Sequence, residues 1–410
     1  MKFTCNIFIS EIQLYRVLLK FFKILGLAPF NVHLIPSAQN KKEQQFDINY
    51  TYSFEESVYD FILSVCLLFK IIYDFVHQHF ENPYQHLYDI VNNFSLMMII
   101  TSYCLKQQLS VKIITNLTYL ETELACKSWD YSFKITSVKK YCIAITIFFT
   151  INFIAIIVFH ALWSTNQTIE TYITLSSLFI TEVCVIQYAS VMIYLYQRLK
   201  TLNSSLLVFA NNNNGFDYLG LWTNSIRNNI TNQKLIFLRQ AHRLLYNCLC
   251  DTTKFYSVPI LFAVLSNFPI LLLSVELLIR TKFTSEELFN MGLHYFGTGL
   301  LIVFSLVPIS ILCFFVTKII TEMKRTKDNV SKIITVRSSD DSFKDELEKF
   351  YIELLHANYN ITACGFFKID NSLLSLIFTG IIVYCFTVNI KQAHQEENEG
   401  FLLSSFISII

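Results

Sequence analysis

Apolar residues collect in long runs along this chain, and polar residues separate the runs. A helix needs about 20 mostly apolar residues to cross a bilayer, and these runs have that length without the alternation typical of β-barrel strands. We therefore predict an all-α membrane protein with seven transmembrane helices. Their approximate bounds are Val58–Val76, Leu87–Leu105, Tyr141–Leu162, Ile173–Leu195, Phe255–Ile279, Gly292–Val316 and Ile369–Ile390.

Ionisable and amide residues interrupt some of these spans. Lys70 and Asp74 lie four residues apart in the first span, so they share a helix face and we expect them to neutralise each other. Glu182 and Gln187 lie in the middle of the fourth span. A carboxyl group is costly inside a bilayer, so we expect Glu182 to pair within the bundle.

Two segments outside the spans have the periodicity of amphipathic helices. In residues 12–28, apolar positions recur at helical spacing and basic positions share another face, which suits the cytoplasmic membrane surface or packing beneath the bundle. The segment Asp340–His356 also predicts a helix with one apolar face. The apolar face of this segment consists of Phe343, Leu347, Phe350 and Leu354.

The composition agrees with a membrane protein. Among the 410 residues, 53% are hydrophobic and only 15% are charged, whereas soluble domains carry about 25% charged residues. This deficit makes an ordinary soluble enzyme a poor interpretation. The formal net charge of +1 provides no basic field for nucleic acid, so we expect the lipid bilayer and no nucleic-acid partner.

The basic residues are divided unequally between the two sides of the predicted bundle. Of the 32 Lys and Arg residues, 28 fall in the N-terminal segment and the even-numbered loops, three fall on the opposite side, and Lys70 lies in a span. Cytoplasmic loops are enriched in Lys and Arg, so we predict a cytoplasmic N-terminus and an extracellular C-terminus. G-protein-coupled receptors have the opposite orientation, so that class is excluded.

This topology divides the chain into seven parts. Cytoplasmic and membrane segments alternate, and an extracellular tail follows the last span. The parts are 1–57 (cytoplasmic, with the amphipathic helix), 58–195 (spans one to four), 196–254 (cytoplasmic loop and helix extensions), 255–316 (spans five and six), 317–368 (cytoplasmic anchor region), 369–392 (seventh span) and 393–410 (tail).

No constellation of residues indicates catalysis, a metal or a cofactor. The sequence has no Gly-rich phosphate loop, no Gly-x-Ser-x-Gly and no His-Glu-x-x-His, and Cys248-x-Cys250 lacks partners at zinc spacing. None of the 11 Cys residues lies in an outer loop, so we expect no disulfide. Asn166 begins a glycosylation sequon in a predicted outer loop. We therefore predict a non-enzyme without metal or cofactor.

The C-terminal part resembles the insect gustatory receptor family. Residues Ala363–Leu374 read ACGFFKIDNSLL, and this family carries a Gly-Phe-Phe-x-Ile/Leu-Asp segment before its last span. The family's motif TYhhhhhQF, where h is apolar, aligns with Cys385–Ala393, so that Phe386 and Gln392 match while Cys385 and Ala393 depart from it. The stretch Leu18–Phe30 also looks like the family's N-terminal region.

This resemblance implies a ligand-gated cation channel in the plasma membrane of a gustatory neuron dendrite, assembled as a homotetramer or with other gustatory receptors. The last span would line a pore for monovalent and divalent cations, and the cytoplasmic ends of spans four to seven would anchor the tetramer. Glu396, Glu397 and Glu399 would concentrate cations at the outer mouth. The candidate pore-lining residues are Phe386, Asn389, Gln392 and Ala393.

A small-molecule tastant would enter the outer half of the bundle. Thr387 stands where the family's main sugar-receptor branch has an acidic residue, so we favour bitter or other plant-derived ligands. A sugar-type receptor, a multi-pass transporter and a membrane enzyme are the alternatives. The candidate ligand-binding residues are the polar and aromatic residues of the outer spans: Asp89, Asn93, His160, Trp163, Tyr172, Glu276, His294 and Tyr295.

Overall fold

Helices account for most of the structure. The computed structural model describes residues 22–28, 30–36, 46–52, 54–77, 83–126, 135–163, 169–211, 221–280, 288–336 and 341–407. The long helices in these residues are α1 (Phe54–His77), α2 (Pro83–Leu105), α3 (Gln107–Cys126), α4 (Ile135–Trp163), α5 (Ile169–Asn211), α6 (Leu221–Arg280), α7 (Leu288–Val336), α8 (Asp341–His356) and α9 (Asn371–Ile407).

Every predicted span coincides with one of these helices. The seven spans fall on α1, α2, α4, α5, α6, α7 and α9, and the prediction of a helical membrane protein is confirmed. Within the described residues, α5, α6, α7 and α9 each contain a stretch long and apolar enough to cross a bilayer, and α4 contains the shorter apolar stretch Ala144–Phe159. The orientation of the termini stays a prediction.

Three helices continue well beyond the length that a bilayer requires. α5, α6 and α7 contain 43, 60 and 49 residues. At 1.5 Å per residue, the 60-residue helix is about 90 Å long, against a hydrocarbon thickness of about 30 Å. Consequently these helices form both the membrane bundle and the region beneath it, without a loop between the two.

The centre of the bundle is α5, which contacts α2, α6 and α7. Tyr188, Met192 and Ile193 on this helix are buried, and the Tyr188 ring stacks on Tyr256 of α6 at a centroid distance of 4.5 Å. Inside the first span, Lys70 Nζ lies 2.9 Å from the Asp74 carboxylate, so the predicted neutralising pair is confirmed.

The short helix α8 docks on α6 and α7 through the apolar face that its sequence predicts. Phe343, Leu347, Phe350 and Leu354 are all buried there. At the edge of this face, Arg239 of α6 forms salt bridges to two carboxylates of α8. Its guanidinium lies 2.7 Å from Glu346 and 2.6 Å from Glu353. Hydrogen bonding to Lys349, together with Arg239, lowers the pKa of Glu346 below its ordinary value, so this carboxylate is charged near neutral pH.

A small hairpin connects α8 to the last helix. It consists of β3 (Thr362–Ala363) and β4 (Phe367–Lys368), which pair antiparallel. Gly365 has a φ of +79°, a conformation that glycine adopts without strain. The Asp370 carboxylate then accepts a 2.9 Å hydrogen bond from the Ser372 N–H and caps the N-terminus of α9. The family-like segment around Gly365 is therefore a turn followed by a helix cap.

The described part of the N-terminal region contains a second hairpin, which the sequence analysis did not predict. β1 (Phe30–Pro36) pairs antiparallel with β2 (Phe46–Tyr52). Most of the predicted amphipathic helix, residues 12–21, lies outside the described residues, but Leu27 and Ala28 at its end are buried. The Leu27 carbonyl accepts a 3.3 Å hydrogen bond from the Gln187 side chain, so this end is tied to α5.

The docking of α8 leads to a stability prediction. Leu347→Ala should lower the free energy of unfolding by about 2 to 5 kcal/mol, because it removes a fully buried side chain and leaves a cavity. Thermal and denaturant unfolding of the detergent-solubilised chain measures this effect. Ile352→Ala, on the half-exposed side of the same helix, is the matched control. Equal losses in the two variants would contradict the packing described here.

Candidate ligand site and pore helix

Polar side chains of α2, α5 and α6 meet inside the apolar bundle. Asp89 accepts a 3.1 Å hydrogen bond from the Thr174 hydroxyl, and Asn93 accepts one of 3.1 Å from Ser177. Asn92 accepts a 2.7 Å bond from the Ser266 hydroxyl of α6. We call Asp89, Asn92, Asn93, Thr174, Ser177 and Ser266 the inner polar cluster. It places carboxylate, amide and hydroxyl groups where a ligand with hydrogen-bonding groups can be oriented.

The mid-span carboxyl group of Glu182 lies close to this cluster. Glu182 is fully buried, as is Asn267 of α6, the neighbour of Ser266. The predicted pairing of Glu182 within the bundle is not seen as a hydrogen bond, with Asn267 or with any other residue that the structure describes. No atom pair between them meets hydrogen-bond geometry, and among the described residues both side chains keep polar atoms without a hydrogen-bond partner, as does the Asn93 amide. Such atoms are costly in an apolar interior, which makes this region a candidate for a bound polar group.

Glu276 lies away from the inner polar cluster. Its carboxylate accepts a hydrogen bond from the Tyr384 hydroxyl, which belongs to α9. The same two helices approach closely at Gly380, where a Cβ atom would stand 2.9 Å from the Phe268 ring. Glu276 therefore connects α6 to the last helix, whereas Asp89 and Asn93 connect α2 to α5.

The outer end of α4 lies against α7. Gly297 of α7 faces the Phe159 ring so closely that an added Cβ would overlap the ring atoms. His160 follows Phe159, and His294 and Tyr295 precede Gly297, so this contact brings the backbones of those candidate positions to one region. The side chains of His160, Trp163 and His294 lie outside the described ones, whereas Tyr172 and Tyr295 are partly exposed.

Among the side chains that the structure describes in α9, those that are buried against the rest of the chain lie along one stripe. Leu373, Ile377 and Val388 are buried, and in its most apolar stretch 17% of residues are buried, against 67% in α5. Two of the candidate pore residues, Phe386 and Asn389, are exposed on the remaining surface. Gln392 and Ala393 continue the helix, but their side chains are not among those described.

Sequence reasoning located some members of this site and missed others. It selected Asp89, Asn93 and Glu182 because ionisable and amide residues are unusual in spans. It did not select Ser266, Asn267 or the Tyr384 partner of Glu276. The signal for the first two was an adjacent Ser–Asn pair within an otherwise apolar run of α6.

Comparison with known proteins identifies the group to which this architecture belongs. A family profile described as 7tm Chemosensory receptor matches residues 15–386. The chain belongs to this chemosensory receptor family. No curated protein matches this receptor by sequence.

Solved structures agree with the family on the fold. The receptor is similar to the insect olfactory receptor OR5 from Machilis hrabei, with a TM-score of 0.62 and 11% identity over 93% of this chain and 98% of that chain. The structure of OR5 in complex with eugenol is also similar, with a TM-score of 0.51 and 11% identity over the same shares of the two chains. At this identity the likeness concerns the fold. The receptor is thus a multi-pass membrane protein of a chemosensory receptor family.

The contact between α4 and α7 leads to a second prediction. A Gly→Ala change inside a helix normally stabilises it by about 1 kcal/mol. Gly297→Ala should instead lower the unfolding temperature of the receptor, because the new methyl group overlaps the Phe159 ring. Gly299→Ala, two residues further along α7, has nothing within 4 Å of its added Cβ and serves as the control. An unfolding temperature of Gly297→Ala at or above that of Gly299→Ala would contradict the close approach.

Proposed function

We propose that this chain is the subunit of a ligand-gated cation channel that detects small tastant molecules of the bitter or other plant-derived type. We further propose that it acts in the plasma membrane of a gustatory neuron dendrite, as a homotetramer or with other gustatory receptors. The observation that carries the channel proposal is the exposed surface of α9, since a helix buried on one stripe has a second surface available to partner subunits and a pore.

The residues on this surface support cation conduction. Phe386 and Asn389 are exposed, and the helix continues through Gln392 towards Glu396 and Glu397. Amide groups can replace part of a cation's hydration shell without binding it tightly, and carboxylates near a pore mouth raise the local cation concentration. The proposed pore-lining set is therefore the one predicted from sequence.

The ligand is proposed to bind within the bundle of each subunit. The inner polar cluster and Glu182 offer hydrogen-bonding groups in an apolar surrounding, which is the usual composition of a small-molecule site. OR5 was solved with eugenol, a small aromatic phenol, so a ligand of similar size is a reasonable expectation for this receptor. His160, Trp163, Tyr172, His294 and Tyr295 are the proposed contacts towards the outer end.

Expression of the chain alone in a non-neuronal cell line tests the function. We expect a bitter compound such as quinine or caffeine to raise cytosolic calcium, with sucrose and eugenol as the sugar and odorant probes, because a homotetrameric channel needs no further subunit to conduct. Untransfected cells are the control. Absence of any response, with surface expression confirmed, would refute the homotetrameric channel, whereas a response to sucrose alone would overturn the ligand class.

The pore assignment has its own test. Gln392→Ala should change the permeability of calcium relative to sodium, because it removes an amide proposed to line the constriction. Reversal potentials in whole-cell recordings measure this ratio. Gln197→Ala removes the same group from α5 and should leave the ratio unchanged. Identical reversal potentials in Gln392→Ala and the parent receptor would remove Gln392 from the pore.

A further inference from the structure

Lys106 binds backbone carbonyls of a neighbouring helix. It is the single residue between α2 and α3, and its ammonium lies 2.7 Å from the carbonyl oxygen of Lys254 and 3.5 Å from that of Phe255, both in α6. Helix carbonyls are normally satisfied by N–H groups four residues later, so a lysine bound there indicates carbonyls that are turned outward.

Pro259 explains why one of these carbonyls, that of Phe255, is available. It lies inside α6, and a proline has no N–H to donate to the carbonyl four residues earlier, which here is that of Phe255. Its ring also displaces that carbonyl. The hydroxyl of Ser257 likewise turns back to the Lys254 oxygen, at 3.2 Å. Lys106 thus supplies a donor where the proline removed one.

Contacts next to Lys106 also join α2 to α5 and α6. One turn before Lys106, the Tyr103 ring packs on Phe255 at a centroid distance of 4.9 Å, and its hydroxyl donates a 2.6 Å hydrogen bond to Gln187 of α5. On its other side, α6 contacts β3 of the hairpin that precedes α9.

We propose that Lys106 is the positioning residue that couples the helices of the inner polar cluster to α9, the proposed pore helix. It does so by binding α6 one turn before Pro259. This inference rests on the proposed channel function. Displacement of α2 by a ligand moves Lys106, Lys106 moves the carbonyls of α6, and α6 moves the hairpin from which α9 begins. Because the contact with the Phe255 carbonyl depends on Pro259, restoring an N–H at that position should reduce the effect of removing the lysine.

Two measurements on the full-length receptor test the coupling. In nanodiscs without ligand, Lys106→Met should accelerate hydrogen exchange of the α6 amides around residues 255–262 about tenfold, because a charge-assisted bond to the backbone is lost. In cells, it should lower the maximal evoked calcium current about tenfold, at unchanged surface expression and single-channel conductance. The agonist is the compound giving the largest parent response among quinine, caffeine, sucrose and eugenol. Lys106→Arg should retain most of both properties.

The proline variants provide the matched controls. In a Pro259→Ala background, Lys106→Met should have a smaller effect, since only the bond to the Lys254 carbonyl is then lost, whereas in a Pro269→Ala background its full effect should persist. Lys112→Met, which breaks the 2.8 Å pair with Asp251 between α3 and α6, should leave exchange at residues 255–262 unchanged. Equal effects of Lys106→Met in the two proline backgrounds would overturn the proposal.

The two proposals fail in different ways. If the parent receptor gives no current with any compound, the homotetrameric channel function is refuted and the exchange measurement alone decides whether Lys106 holds α6 before Pro259. If the parent conducts and Lys106→Met conducts equally well, the channel function stands and the coupling role is refuted.

Discussion

A bilayer offers no water to the peptide backbone, so every N–H and C=O inside it must be bonded within the protein. The arrangement of this receptor follows from that requirement. Its spans are parts of uninterrupted helices, and three of these continue far beyond the membrane. The exceptions are Pro259, Pro269 and Pro308, where a backbone donor is missing. At Pro259, Lys106 from the junction of α2 and α3 lies 3.5 Å from the freed carbonyl of Phe255, so a residue outside α6 replaces the missing donor.

Polar interactions differ between the two regions of the long helices. In the region where α8 docks, Arg239 bridges two carboxylates and an apolar face holds α8, so packing and charge support each other. Inside the bundle, the bonds join amides, hydroxyls and single carboxyl groups, and some polar atoms of Glu182 and Asn267 lack hydrogen bonds. The α8 region is tightly packed, whereas the bundle contains polar atoms without hydrogen bonds. This difference suits a receptor whose bundle must respond to a ligand.

Much of the fold could be predicted because the signals were local. Apolar run length located the helices that contain the spans, a period of 3.6 located the buried face of α8, and a spacing of four predicted the Lys70–Asp74 pair. Contacts between distant residues gave no such signal. Asn92 and Ser266 are 174 positions apart, and Glu276 and Tyr384 are 108 apart. The β1–β2 hairpin was missed although both strands, FNVHLIP and FDINYTY, alternate apolar and polar residues. That period of two is a strand signal, but prediction from long apolar runs does not use it.

The attachment of α9 at its base has a mechanical consequence. The Asp370 cap and the 3.2 Å bond from the Asn371 N–H to the Thr317 hydroxyl fix the first turn, while the rest of the helix has few contacts with its own chain. Position 392 lies about 32 Å along the helix from that base. A tilt of about 5° at the base would therefore displace position 392 sideways by about 3 Å, comparable with the diameter of a water molecule. A small change in the angle of α9 at the hairpin is therefore magnified along the helix and is largest at its far end.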